Sequence, residues 1–528
     1  MSFVDLMTID NLNSPVTRFT GEFGPCAVNE FEEILTMTTT APSPAPITFD
    51  DRPQVFIGGK WVDSTGDEWI DVVDSWSEGV VARVRAATAD DIACAVDEAR
   101  ASFDAGVWVN TPIAERADVI DEIGDRLGKR LAELTPIGIA EVGVTAPVSG
   151  MTQQMFPGLF HAVANEARNA TMVDERTRAD GGRSLVVKEP NGVVGVIIPW
   201  NGPVGTIAFK VAPALAAGCS VILKTSPEAP LSPSVFADVV GELVAEGRIP
   251  EGVVSVLAAD REVSETLVTN PEVDHITFTG STAAGRRIMA LAADRVAKVS
   301  LELGGKSAAI VLDDADLNSV MQFLPMGGCM QSGQACIALT RVLVSEKRHD
   351  EVVAAYQAAL GMLPLGNPWE ETNFLGPLAS ARQRDRVENY IEIAKSEGAT
   401  IVHGGGRGGF DHGFFVEPTI VDNVRADMRI AQEEVFGPVI SIITYTDEDD
   451  AVAIANDSQY GLSGAVFSAD AEHAYEVAKR IRTGTVNINC SVTDFTIPFG
   501  GYKQSGLGRE GGAEGLEEFF ETKTIHLG

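Results

Sequence analysis

The spacing of apolar positions changes period along this chain. Residues 90–105 and 114–142 carry apolar side chains at helical spacing. From residue 193 the pattern alternates in type. Residues 193–198 are a short apolar run, read as a buried strand, and 203–217 read as a helix stopped by Gly218. Further strands are expected at 220–223, 253–257, 275–279, 299–303 and 308–312. Helices are expected at 232–246, 262–269 and 283–293. Strand–helix–strand at this spacing predicts a parallel, doubly wound α/β sheet, with ligands at the carboxyl ends of the strands. A similar alternation follows residue 336, with a strand at 341–344 and helices at 350–361 and 381–397, so a second α/β unit is expected. Residues 171–190 read as a hairpin turning at Ala179-Asp180-Gly181-Gly182, and 522–526 as a lone strand. No internal repeat of fixed period is present.

The chain is 528 residues long, which at roughly 100–200 residues per domain implies about three domains. Residues 1–50 differ from the rest. They end in the Pro-rich stretch from Thr36 to Pro46, where disorder or an extended linker is expected. They lack the charged start and apolar core of a secretory signal, and are too acidic for a mitochondrial transit peptide. Met37 is a candidate true start. The net charge of −35 excludes nucleic-acid binding, which needs cations to displace phosphate counterions. No apolar run is long enough for a bilayer, so no membrane role is expected. Six scattered cysteines, without a CxxC pair or a Cys/His cluster, suit reduced thiols in a cytoplasmic protein and no bound metal.

Polar residues and glycines gather where the predicted strands end: Pro199-Trp200-Asn201, Lys224 with Thr225-Ser226-Pro227-Glu228, Thr279-Gly280-Ser281 through Gly285, and Glu302 through Ser307. Gly280 to Gly285 opens a helix directly after a strand, which suits a pyrophosphate on backbone N–H groups. The spacing is not GxGxxG, and a plain strand-to-helix turn accounts for it equally. A lone buried Cys is ordinarily a small hydrophobe. Around Cys336, however, Gly333-Gln334-Ala335 suggests close backbone packing about a polar ligand.

Taken together, these motifs resemble the aldehyde dehydrogenase superfamily from about Phe56 to the C-terminus. They are Pro199-Trp200-Asn201, Phe278-Thr279-Gly280-Ser281, Leu301 to Lys306, Gly333-Gln334-Ala335-Cys336, Glu433 to Pro438 and Pro498 to Gly506, in the family's order. The resemblance implies a Rossmann-like doubly wound cofactor domain (51–170 and 191–301) and a second α/β catalytic domain (302–485). It also implies a small β oligomerisation element (171–190 with 486–528). The activity it implies is NAD(P)-dependent oxidation of an aldehyde to an acid. In that reading Cys336 is the nucleophile, Glu302 the base for the hydrolytic water, and the Asn201 amide with the Cys336 N–H the oxyanion donors. Lys210 and Glu510 match a proton relay. Glu434 and Phe436 match residues on the nicotinamide ribose, and Lys224 one on the adenosine ribose. Gly280, Ser281 and Gly285 match positions near the pyrophosphate, and Ile198, Pro199, Trp200 and Leu303 others of the cofactor groove. NAD is the expected cofactor, with NADP possible: many NAD-using relatives carry Glu three residues after the lysine, where this chain has Pro227, with Glu228 one later.

Gly202 follows Asn201 where relatives often carry a bulky apolar residue, so a roomy tunnel is expected, lined by Phe495 and Phe499 with Phe209, Ile497, Met151, Met155, Phe156 and Phe160. No Arg or Lys lies between Cys490 and Pro498 to pair a substrate carboxylate. The expected substrate is therefore an apolar aldehyde, aromatic, terpenoid or medium-chain, rather than a small semialdehyde acid. The hairpin and last strand imply a homodimer or homotetramer, because a short projecting hairpin cannot satisfy its own edges. The alternatives are a CoA-acylating dehydrogenase, an acyl-phosphate-forming one and a non-catalytic cofactor-binding relative. Glu302, a base for hydrolysis, argues against the first.

Overall fold

The structure is a computed structural model that describes residues 48–492, 494 and 496–528. The expectations for residues 1–47 and for Phe495 fall outside it. The chain builds two large sheets. In the eight-stranded sheet the parallel strands lie in the order Lys298–Glu302, His275–Thr279, Val193–Ile197, Ser220–Thr225, Val254–Ala258. Gly506–Leu507 edges it on one side, and Val55–Ile57 with Lys60–Val62 on the other, all antiparallel. The strands are mostly apolar and buried because both faces are covered. Val194, Val196, Val221 and Leu223 point into one core with the helices Ile113–Lys129, Pro203–Ala217 and Leu231–Ala245. Val193, Ile197, Ile222 and Leu257 point into another with Ala89–Ala105 and Thr282–Ala293. A period of two along each strand thus feeds two cores.

The second, seven-stranded sheet repeats the device. Its central strands Ala308–Val311, Arg341–Ser345 and Val439–Tyr445 run parallel. Ile310 and Leu343 face the core under Ala381–Ser396, whereas Ala309, Val342 and Val344 face the core under Leu317–Cys329 and His349–Gly361.

The apolar pattern over 114–142 is helical as expected, in two helices, Ile113–Lys129 and Leu131–Val142. Between them Arg130 leaves helical geometry (φ −102°, ψ 15°), and its guanidinium pairs with Glu133 at 2.8 Å and Asp238 at 3.3 Å. The last strand is not alone. Phe520–His526 pairs antiparallel with Arg183–Pro190, which also pairs with Val173–Thr177, giving a three-stranded sheet. Residues 486–528 do not form one element with the hairpin either: Asn487–Ile488 ends the seven-stranded sheet and Gly506–Leu507 edges the eight-stranded one.

Two buried ionisable groups fasten the helices under the first sheet. Gly218 (φ +103°) ends Pro203–Ala217, and the Arg116 guanidinium donates to the last carbonyls of that helix, Ala216 O at 2.9 Å and Ala217 O at 3.1 Å. Glu141 accepts from the Leu231 N–H at 2.6 Å and the Ser232 hydroxyl at 3.1 Å, so it caps the helix Leu231–Ala245. Burial pushes its carboxyl up to about 8. Between the ordinary carboxyl value, about 4.3, and that value, the folded chain holds a proton the unfolded chain has released. Stability is therefore lost as pH rises through this window. Glu141→Gln keeps an acceptor for Leu231 and removes the ionisation. Its melting temperature is expected to match the native one near pH 4 and to exceed it by an amount that grows from pH 5 to pH 8.5, reflecting a stability difference on the order of a few kcal/mol. Thermal unfolding at several pH values checks this; a pH-independent difference would refute it.

Candidate active site

Glu302 is the last residue of its strand in the first sheet, and the chain then crosses through Leu303–Ser307 into Ala308–Val311 of the second. The crossing is held from the far end of the sequence. The Ser505 hydroxyl donates to Gly304 O at 2.7 Å, and the Leu303 N–H donates to Ser505 O at 2.7 Å. Gly506 sits opposite Glu302 in the ladder, where a Cβ would lie 2.4 Å from Leu301 O. Both carboxylate oxygens of Glu302 are buried without a hydrogen-bond partner in the protein. Burial, reinforced by the charge of Glu510, raises its carboxyl well above the usual range, against the pull of Lys210 and Arg509. An unpaired buried carboxylate suits holding and deprotonating a water.

Cys336 lies on a strained loop after the helix Leu317–Cys329. Gln331 (φ +55°), Ser332 (φ +53°) and Gly333 (φ +70°) are successively left-handed, which L side chains rarely adopt. Contacts from distant parts of the chain hold the loop there. The Gln331 amide donates to Asn201 O at 2.5 Å, and the Ser332 hydroxyl to Gly376 O at 2.7 Å. At Gly333 a Cβ would stand 2.3 Å from Gly437 O, and at Gly305 one would stand 2.2 Å from Cys336 O. Only glycine lets these backbones meet. Gln334 is fully buried, accepts from the Ala379 N–H at 2.9 Å and donates to Gln331 O at 3.3 Å. It grips backbone, correcting the reading that it surrounds a polar ligand. The Asn201 Nδ2 donates to Gln334 O at 2.9 Å, which aims the amide at the cysteine loop and leaves its second N–H to give. Cys336 remains partly accessible. Burial, together with the charges of Glu302, Glu434 and Glu510, pushes its thiol well up and keeps it neutral.

Lys210, fully buried on Pro203–Ala217, lies 2.5 Å from Glu510 Oε1 and donates to the Thr277 hydroxyl at 2.9 Å. The two residues matched to a proton relay are thus a buried ion pair, and each acts electrostatically on Glu302 with opposite sign.

Along the groove at the strand ends, Trp200 meets Phe436 edge to face at 5.5 Å, with Phe436 held at φ +64°. The Ile198 N–H donates to Lys224 O at 3.1 Å, tying neighbouring strand ends. Lys224 has an ammonium buried against one long contact, 3.5 Å to Ala259 O, and burial lowers it to about 8. It has donors to spare for ribose hydroxyls, so the groove fits a dinucleotide. Glu434 accepts from the Gly305 N–H at 2.9 Å, and burial lifts it to about 7. The Gly280 N–H donates to Glu302 O at 3.0 Å. Ser281 is the N-cap of Thr282–Ala293, so its hydroxyl serves the helix, while the backbone N–H groups of that first turn point from the end of a strand. A Cβ on Gly285 would lie 2.5 Å from Leu303 Cδ2, so this glycine seats the helix against Leu303.

Around Gly202 an added Cβ would meet nothing within 4 Å, matching the expected room beside Asn201. Phe156 closes one side of that helix start, 3.3 Å from the Cβ position of Gly205. Phe499 is buried and pairs backbone to backbone with Glu510, N to O 2.7 Å each way. Phe160, read as a tunnel residue, is instead core, packed on Gly124. Sequence reasoning missed Lys306, whose buried ammonium has no hydrogen-bond partner and falls to about 7 through burial and the charge of Arg341. It also passed over Ser505 and Thr277, whose motif membership and strand position were the available signals.

A doubly wound sheet facing a second α/β lobe, with a glycine-walled cysteine loop and an unpaired carboxylate at the crossing, defines a two-lobed oxidoreductase. Residues 61–525 match the Aldehyde dehydrogenase family, and the chain belongs to that family of aldehyde-oxidising enzymes. It is 41% identical to geranial dehydrogenase of Castellaniella defragrans, over 90% of this chain and 99% of that one. It is 40% identical to 3-succinoylsemialdehyde-pyridine dehydrogenase of a Pseudomonas species, over 90% and 98%. Among solved structures, a Mycobacterium tuberculosis aldehyde dehydrogenase complexed with NAD+ superposes with a TM-score of 0.88 at 42% identity, over 91% of this chain and 99% of that one. Staphylococcus aureus betaine aldehyde dehydrogenase in complex with NAD+ gives 0.87 at 35%, over 90% and 94%. No helix among the described residues is long and apolar enough to cross a membrane.

Proposed function

We propose that this protein oxidises an apolar aldehyde to the free acid with NAD as cofactor. The observation that carries the reading is Glu302, a buried carboxylate with neither oxygen engaged, in the electrostatic field of Cys336. Cys336 sulfur attacks the carbonyl carbon once its proton has passed to a base. The carbonyl oxygen becomes an oxyanion, met by the spare Asn201 N–H and the Cys336 N–H. Held in the groove, NAD would supply the hydride acceptor that lets the adduct collapse to a thioester. Glu302 then takes a proton from water, whose oxygen attacks the thioester carbon, and the sulfur leaves to regain its proton. Lys210 and Glu510 relay the proton away from Glu302. Lys224, Glu434, Phe436, Trp200 and the first turn after Gly280 hold the dinucleotide. NAD is favoured over NADP because the two solved relatives named above carry NAD+.

The open space at Gly202, the exposed apolar Val492 and Ile497, and the absence of a basic residue between Cys490 and Pro498 favour an uncharged apolar substrate. The likeness to an enzyme named for geranial supports this. The three-stranded sheet leaves Phe520–His526 as an exposed edge, which a second copy would cover in a homodimer or homotetramer. The test is the initial rate of NAD reduction over terpenoid, aromatic, short-chain and carboxylated aldehydes, without CoA or phosphate. Free acid is the expected product, with terpenoid or aromatic aldehydes at least tenfold better in kcat/KM than carboxylated ones. Turnover only with CoA would replace the hydrolytic mechanism by the acylating one, and a carboxylated favourite would overturn the substrate class.

A further inference from the structure

The two strands that lead into the site, His275–Thr279 and Lys298–Glu302, are apolar on one face only. Ile276, Phe278 and Leu301 point into a core. Alternation puts His275, Thr277, Ser300 and Glu302 on the opposite face, where they are buried as well. A polar face under cover needs partners, and the C-terminal stretch supplies them. The Ser300 hydroxyl donates to Glu518 Oε2 at 2.9 Å. A carboxylate oxygen only accepts, so the Ser300 oxygen takes the Nε2–H of His275, also at 2.9 Å, and His275 Nδ1 accepts from Asn191 Nδ2 at 3.0 Å. Burial, with the charges of Lys298 and Lys210, lowers His275 to about 3, so the ring is a neutral link. The Asn191 amide also donates to Glu518 O at 2.7 Å. Both the carboxylate and the backbone of Glu518 are thus fixed to the sheet.

The other carboxylate oxygen holds a turn of the chain. Glu518 Oε1 accepts from the Arg509 N–H at 3.3 Å and lies 2.9 Å from the Cβ position of Gly508, where the backbone turns at φ +91°. That turn joins two short pairings: Gly506–Leu507 beside Leu301 and Glu302, and Glu510 with Phe499. Beyond the turn Glu510 meets Lys210 at 2.5 Å, and Glu510, Lys210 and Arg509 all act on the Glu302 carboxyl.

We propose that Glu518 is a positioning residue for the hydrolytic step: oriented by Ser300 and His275, its carboxylate holds the Gly508–Arg509 turn that presents Arg509 and Glu510 to Glu302. Glu302 has no hydrogen-bond partner of its own in the protein, so the placing of these neighbours governs its charge. A displacement of about 1 Å in such a group is enough to cost a reaction step up to about 100-fold. The cysteine loop is held by other contacts, those of Gln331, Ser332 and Gln334, so attack by sulfur and hydride transfer do not depend on the turn.

Because the proposal rests on Glu302 as the hydrolytic base, Glu302→Gln is measured beside the Glu518 variants. NADH formation is followed from mixing, with NAD and the panel aldehyde of highest kcat/KM, and the steady rate is divided by the burst amplitude so that any unfolded fraction drops out. Glu518→Ala is expected to show a burst as fast as native hydride transfer within about threefold, and a steady rate per active site lowered about 10- to 100-fold. Glu518→Gln keeps an acceptor for the Arg509 N–H and is expected to stay within about threefold of native. Ser300→Ala, which frees Oε2, is expected to fall between the two. A Glu518→Ala steady rate per active site within twofold of native overturns the proposal. So does a burst slowed as much as the steady rate, or a Glu518→Gln variant as slow as Glu518→Ala. If Glu302→Gln gives no burst, the hydrolytic reading is what fails; if it gives one and Glu518→Ala turns over like native, the proposal alone fails.

Discussion

An alanine at position 336 is expected to remove aldehyde oxidation altogether, a loss of about 10⁵–10⁶-fold in kcat, the scale seen when a covalent nucleophile is deleted. Neither of two other buried thiols can stand in. Cys329 is fully buried and pushed up to about 12 by burial alone, and Cys219 is pushed up to about 11. Neither forms a thiolate at neutral pH, and no loop opens either one to substrate. Cys336→Ala is also a mild change for the fold. The loop is held by Gln331, Ser332, Gly333 and Gln334, whose partners are Asn201, Gly376, Gly437 and Ala379, and none of these contacts uses the sulfur. Melting temperature and NAD affinity should therefore stay near native while turnover vanishes. Cys329→Ala gives the opposite pattern: a stability loss from an emptied core position, with kcat retained per folded molecule. Residual oxidation in Cys336→Ala above a hundredth of native would mean that another residue carries the chemistry.

What the sequence revealed, and what it withheld, follows from the range of the forces involved. The parallel strands were legible because each is apolar on both sides, and the helices between them because Gly218 and the apolar spacing mark their ends; both are signals within a few residues. The site was legible because strand ends put Asn201, Lys224, Gly280 and Glu302 in one place by topology alone. The rest depends on contacts between residues far apart. The break at Arg130 is fixed by Asp238, more than a turn of helix away in another element. The partner of Phe520–His526 is a strand over three hundred residues earlier. Gln334 reads as a ligand contact until Ala379 is seen against it, and Ser505 reads as a motif residue until its hydroxyl is seen on Gly304. The ion pair between Glu228, beyond the strand Ser220–Thr225, and Arg382, on the helix Ala381–Ser396, has no local signature at all.

Replacing Glu302 by Gln should stop the reaction halfway. The isosteric amide keeps the shape of the crossing and removes the base, so attack by sulfur and reduction of NAD proceed once while the thioester persists. The expected trace is a burst of NADH close to one equivalent per active site, followed by a steady rate lowered about 10²–10⁴-fold, the usual contribution of a positioned base. Intact mass of acid-quenched protein should show the acyl group on Cys336, removable by hydroxylamine. The pH profile supplies a second readout. Because burial raises the Glu302 carboxyl well above its ordinary range, its proton-accepting form grows in as pH rises above the range of an ordinary carboxylate. Native kcat should thus climb from weakly acid into alkaline solution, and the slow steady rate of Glu302→Gln should lose that limb. Absence of a burst, with reduction itself slowed as much as acid release, would show that Glu302 acts on the Cys336 thiol before the carbonyl is attacked. The electrostatic coupling of these two groups makes that the one competing role, because Glu302 raises the same thiol it would have to deprotonate. A carboxylate whose charge raises the thiol is poorly suited to ionise it, and with both oxygens unpaired it is well placed to take a proton from water.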